Sequence, residues 1–272
     1  MTVPMSSRPL IWDCTNLTVA GVNVTISSVR RDGPSHPILI LHGFGSTKED
    51  FLDIALVKAF SGTSFLIYDT PGSGQSTSQK LDLLSIPFLV ELAEEFLKAY
   101  GIEKFHLIGH SMGGLTALKL AQQRPDAVLS FVNIKGNLAP EDCFLSRQVL
   151  DYPSNSPQIF FRQFVERARK SQEFGSAIYA AGLQAKVKPE VVRPIFESMV
   201  HLSDTENLLD IFISMPCPKM FMYGEQYNTL SYLSRLSQAG VELAEISNAA
   251  HFIMYSNPVE MWRRIALFLS IE

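Results

Sequence analysis

The chain has 272 residues, a net charge of −4 and 46% hydrophobic residues. That suits one large domain, or a core domain with an insertion, around a sizeable buried core. The weakly acidic balance without a long basic run argues against nucleic acid as a partner, and no apolar run approaches the ~18 residues of a membrane helix.

In chain order, Met1 to Cys14 lacks the apolar centre of a secretory leader. Asn16 and Asn23 each begin an Asn-x-Thr sequon, discounted in the absence of a leader. Leu17–Val19 and Val22–Val29 read as a strand pair turning at Gly21, and Ile38–Leu41 is a short apolar strand ending in His42-Gly43-Phe44-Gly45. Ser46 to Phe60 has helical spacing at Phe51, Ile54, Ala55 and Ala59. Ser64–Tyr68 is the next strand and runs into a turn-rich loop, Asp69 to Ser76. Ile86–Tyr100 is a helix with an acidic face. Phe105–Ile108 is a strand, followed by Gly109-His110-Ser111-Met112-Gly113-Gly114, a helix ending near Arg124-Pro125, and the strand Val128–Ile134.

From 136 to 215 the alternation gives way to helical patterns, with apolar faces at Phe160, Phe161, Phe164 and Val165 and at Val192, Ile195, Phe196 and Met199. Alternation resumes with the strand Lys219–Tyr223, the helix Thr229–Ala239, the strand Glu242–Ile246 and the helix Val259–Ile271. Alternating strands and helices imply an α/β fold with a mostly parallel sheet covered on both faces. The helical block predicts a cap (136–215) over a core (1–135 and 216–272). It roofs the C-terminal ends of the strands, where open α/β sheets bind ligands. Cys14, Cys143 and Cys217 are far apart and odd in number, which predicts free thiols in a reducing, cytoplasmic compartment.

Gly-x-Ser-x-Gly between a strand and a helix reads as a nucleophile elbow. Ser111 sits on a sharp turn, flanked by Gly109 and Gly113 where neighbouring backbone comes close. A serine hydroxyl needs an adjacent base, and His251, in the short loop before the last helix, is the candidate. Of the other histidines, His42 and His110 belong to structural motifs, and His36, His106 and His201 have no motif around them.

With these motifs in order, the chain resembles the α/β-hydrolase family in its helical-cap form. The likeness rests on His42-Gly43-Phe44-Gly45, Asp69 with Gly72 and Gly74, the elbow, Gly224-Glu225, and Ala250-His251-Phe252. It implies an eight-stranded, mostly parallel sheet and a serine esterase or lactonase chemistry without cofactor. Ser111 would attack, His251 would act as base, and the amides of Phe44 and Met112 would form the oxyanion hole. Asp69 would fix a local turn. No metal is expected, since no cluster has ligand spacing, and the glycine loops lack a phosphate-binding fingerprint.

The resemblance also requires a carboxylate on His251. Most relatives carry it as Gly-x-x-Asp after the seventh strand, but this chain reads Gly224-Glu225-Gln226-Tyr227-Asn228. Other relatives carry it after the sixth strand. There the context Asn133-Ile134-Lys135-Gly136-Asn137 predicts glutamate at 135, where lysine stands. Three alternatives follow: Asp142 or Glu141 supplies the acid, position 135 carries a glutamate-to-lysine change, or the protein is non-hydrolytic. Apolar and aromatic cap residues, among them Phe144, Leu145, Tyr152, Phe174, Tyr179 and Leu183, favour an uncharged hydrophobic ester or lactone. A small-molecule binding protein, or a cyclase or lyase, is the rival on the same scaffold. No feature of the sequence signals an oligomeric state.

Overall fold

The computed structural model describes residues 8–150 and 156–271, so Tyr152 lies outside the described residues. The sheet has nine strands: β1 Ile11–Val19, β2 Val22–Arg31, β3 Ile38–Leu41, β4 Phe65–Tyr68, β5 Thr77–Ser78, β6 Phe105–His110, β7 Val128–Ile134, β8 Lys219–Gly224 and β9 Glu242–Ile246. Eight run side by side in the order β1-β2-β4-β3-β6-β7-β8-β9, and the two-residue β5 pairs with β2 off this path. β2 is antiparallel to β1 and β4, whereas all pairs from β4 through β9 are parallel. Every residue of β3 and β4 is buried, so both faces of the central sheet are covered.

The helices are α1 Ile86–Ala99, α2 Met112–Gln123, α3 Pro157–Lys170, α4 Ser176–Lys186, α5 Val192–Thr205, α6 Leu208–Ser214, α7 Leu233–Gln238, α8 Ile253–Ser256 and α9 Pro258–Phe268. Between β7 and β8 every described regular element is helical, from the 3-10 turn at Pro140 to α6. α3 and α5 bury the apolar faces that their periodicity predicts, including Phe160, Phe164, Phe196 and Met199. α6 belongs with the core, however. Phe212 meets Phe131 of β7 edge-to-face at 5.4 Å, so a cap boundary at 215 includes one helix that flanks the sheet.

Two sequence expectations fail locally. β1 begins at Ile11, not Leu17, because an edge strand with one wet face carries polar residues such as Asp13 and Asn16. Ser46–Phe60 forms two 3-10 segments, Lys48–Ala55 and Lys58–Phe60, instead of one α-helix. Tertiary bonds compete there. Asp69 takes the Lys48 amide (2.8 Å) and ammonium (2.7 Å), while Asp50 binds the Thr47 amide (2.8 Å) and Lys186 of α4 (2.7 Å).

Asp69 also accepts from the Gln75 amide at 3.0 Å and so fixes the loop after β4. The side chains of Lys48 and Asp69 are fully buried, and exposed Glu49 is a second partner of Lys48. Removing one member of such a pair strands the other charge. Asp69→Ala is therefore expected to lower unfolding free energy by about 3–5 kcal/mol in urea titration; a change below ~1 kcal/mol would contradict a structural role.

Candidate active site

The parallel register brings the ends of β3, β6, β7 and β8 to one edge: Leu41 lies beside Gly109, His110 beside Ile134, and Ile134 beside Met222. The segments leaving this edge carry Phe44, Ser111, Lys135 and the loop at 225. Ser111 joins β6 to α2 with φ 53° and ψ −119°, a conformation that costs a non-glycine residue energy. Glycine makes the turn possible. A Cβ on Gly113 would lie 2.1 Å from the Leu41 carbonyl oxygen, and one on Gly109 would lie 2.5 Å from the Gly113 oxygen.

Ser111 Oγ lies 2.9 Å from His251 Nε2. With the hydroxyl as donor, the ring proton sits on Nδ1. That atom is buried and meets no acceptor among the described residues. An unsatisfied buried donor costs ~1–3 kcal/mol. Burial pushes the His251 imidazole well below its ordinary range, and nearby His110 and the Lys135 cation act in the same direction. Phe144 and Phe252 stand edge-on to the ring at 5.2 and 4.9 Å.

No carboxylate reaches His251 Nδ1 from either expected place. Lys135, at a strained φ of 46°, ends β7 with its side chain buried, and its ammonium donates to Asp142 Oδ1. Tyr232 donates to the same oxygen at 2.8 Å, and the amides of Leu138 and Ala139 donate to Oδ2 at 2.8 and 3.0 Å. Asp142 thus borders the serine chamber, but its acceptor capacity is spent on Lys135, Tyr232 and its own turn, which corrects the expectation that it orients the base. Glu141 turns away to Ser231, at 2.7 Å from its hydroxyl. Tyr227, at the usual aspartate position, lies under the Lys135 ammonium (4.8 Å) and donates to Glu173 at 2.8 Å.

The Phe44 and Met112 amides flank the elbow. Among the described residues no backbone carbonyl accepts from either. Met112 is the first residue of α2, where an unpaired N–H and the helix dipole favour negative charge. Sequence reasoning missed how this loop is held. Tyr179 of α4 donates to the Phe44 carbonyl at 3.0 Å and stacks on Phe252 at 4.0 Å. Only its place among the cap aromatics hinted at it.

His42 is structural: Nδ1 donates to the Gly43 carbonyl (2.8 Å) and Nε2 accepts from Thr70 N–H (3.0 Å). His106 bonds Ser130 at 2.8 Å, and His36 and His201 are exposed. Ser111 opens into a narrow cavity of about 20 Å³ lined by Phe44, Phe144, Leu145, Tyr179, Phe196, Met199 and Phe252. An outer vestibule of about 150 Å³ shares Phe144, Leu145, Tyr179 and Phe252 with it and adds polar Gln148, Arg167 and Glu173.

The alpha/beta hydrolase fold family model matches residues 36–177, a little over half the chain. The chain belongs to the α/β-hydrolase fold family. Among its curated relatives is the pimeloyl-[acyl-carrier protein] methyl ester esterase of Aeromonas salmonicida. It is 31% identical over 55% of this chain and 58% of its own length, so the chain spans little more than half of that relative. The monoacylglycerol lipase abhd6-A of Xenopus laevis is 24% identical over 88% of this chain and 77% of its own. A carboxylesterase structure from Nitrososphaera gargenis superposes with a TM-score of 0.75 at 17% identity, covering 94% of this chain and 98% of that one. An N-acyl homoserine lactonase AidH structure gives 0.71 at 17% identity, covering 95% and 96%. At such identities these structures share the fold.

Among the described residues no group of His, Cys, Asp or Glu is arranged to hold a metal, and no helix is long and apolar enough to cross a membrane. Burial also holds His110 down at about 4. His110 and His251 both take protons more readily unfolded than folded, so their contribution to stability is full above about pH 6.5 and is lost as pH falls. Unfolding free energy should therefore drop between pH 6.5 and about 4, by up to ~1.4 kcal/mol per pH unit for each histidine. Urea midpoints read at pH 7, 5.5 and 4.5 check this; a flat or rising profile toward acid would contradict it.

Proposed function

We propose that this hydrolase cleaves a carboxylic ester or lactone of a hydrophobic small molecule through an acyl-enzyme on Ser111. The observation that carries the reading is the 2.9 Å contact between Ser111 Oγ and His251 Nε2. His251 takes the serine proton as Oγ attacks the carbonyl carbon, then returns it to the leaving alkoxide. The Phe44 and Met112 amides receive the oxyanion, each worth ~2.7–4 kcal/mol in such a site. Water then attacks the acyl-enzyme, with His251 again as base. The apolar inner chamber supports a hydrophobic group beside the ester. The exposed free thiol of Cys14 supports a reducing, cytoplasmic setting.

Lys135 makes this hydrolase slow. It stands where the family pattern expects glutamate, and its charge opposes the imidazolium that each step must form. The same feature favours a second reading: a protein that binds an intact apolar ligand over an inert serine.

A fluorophosphonate probe and short p-nitrophenyl esters separate the two. Labelling and turnover that vanish in Ser111→Ala support the hydrolase; no labelling alongside binding of an intact ligand overturns it. Position 135 needs a paired change, because glutamate there would face Asp142 across a dry contact. Lys135→Glu with Asp142→Asn is expected to raise turnover, toward the ~10⁴ that an orienting carboxylate can contribute. Unchanged turnover in a folded double variant would remove position 135 from the acid's place.

A further inference from the structure

We propose that His110 is a positioning residue for His251, holding the backbone of the base against the elbow. The inference rests on the Ser111–His251 reading above and explains how that pair keeps its geometry. His110 Nε2 lies 2.9 Å from the backbone oxygen of His251, across 141 positions of sequence. A carbonyl oxygen only accepts, so Nε2 must carry the proton. The ring is completely buried, and burial holds it down at about 4, so it stays neutral and keeps that single proton on Nε2. Its Nδ1 has no partner among the described residues, so no hydrogen bond stabilises the opposite tautomer.

The two histidine rings lie 5.0 Å apart, and His110 also packs against Phe252 at 6.1 Å and Phe51 at 6.4 Å. The residue covalently next to the nucleophile therefore grips the residue that serves as base. Any shift of the loop at 249–252 away from the elbow must break this buried bond. A carboxylate would fix the ring through Nδ1. Here the backbone is fixed by His110, and the ring is set by the edges of Phe144 and Phe252.

His110→Phe fills the space without a donor, and His110→Gln restores a donor near the Nε2 position. Their fluorophosphonate labelling rates and ester kinetics are compared with wild type at equal thermal stability. A misplaced base costs about 10²-fold in rate. His110→Phe should lose about that much in kcat with KM little changed, and His110→Gln should recover most of it. His110→Phe at the wild-type rate, or His110→Gln no better than His110→Phe, would overturn the assignment.

If the wild-type serine is not labelled at all, the hydrolase reading fails and ring NMR decides the positioning role alone. A His110 Nε2–H tautomer, with His251 ring signals displaced in His110→Phe and restored in His110→Gln, upholds it. A His110 Nδ1–H tautomer in wild type, or unmoved His251 signals in His110→Phe, rejects it.

Discussion

The site depends on one constraint: how closely the loop after β3 and the start of α2 approach each other. The Leu41 carbonyl lies where a side chain on Gly113 would have to be. That approach brings the loop that carries Phe44 against the turn that carries Ser111 and Met112. It also forces Ser111 into a positive φ that the surrounding structure must hold in place. Because β6 is central, with β3 on one side and β7 on the other, the strain rests on the most rigid part of the molecule. Tyr179 of α4 reinforces it through its bond to the Phe44 carbonyl.

Two buried ion pairs illustrate how context decides what a charge does. Lys48–Asp69 lies under the loop after β4, where the carboxylate also binds two amides, and it serves architecture. Lys135–Asp142 uses the same chemistry at the edge of the reaction chamber. Its carboxylate is as fully satisfied, by an ammonium, a phenol and two amides. A carboxylate with that many donors gains nothing by turning toward an imidazole. Lys135 thus engages Asp142, the other candidate acid, and leaves it no free acceptor for an imidazole.

Much of this was legible in the sequence because it is written in local patterns. Strand–helix alternation gives the sheet, Gly-x-Ser-x-Gly gives the elbow, and the order of Ser111 and His251 identifies the pair. The break in the family pattern at Lys135 was legible as well. What it leads to was not, because Asp142, Tyr232 and Lys135 meet only through the packing of separate loops. The 3-10 segments after Gly45 were hidden for the same reason: helical periodicity at Phe51 and Ile54 says nothing of the tertiary bonds that Asp69 makes to Lys48. His110 looked like packing since no sequence rule links it to a carbonyl 141 positions away.

A base without an acid shifts the reaction energetics evenly. On the proposed mechanism the imidazole must become imidazolium when Ser111 attacks and again when water attacks the acyl-enzyme. Burial and the Lys135 cation disfavour that charged state in both steps. The proposed oxyanion donors, the Phe44 and Met112 amides, are backbone groups and carry no charge that Lys135 opposes. On that proposal the site would keep its transition-state binding while proton transfer is weakened. On the proposed mechanism the acyl-enzyme would form slowly and, for the same reason, be released slowly, so a covalent adduct once made would outlast one in a protein with a complete triad.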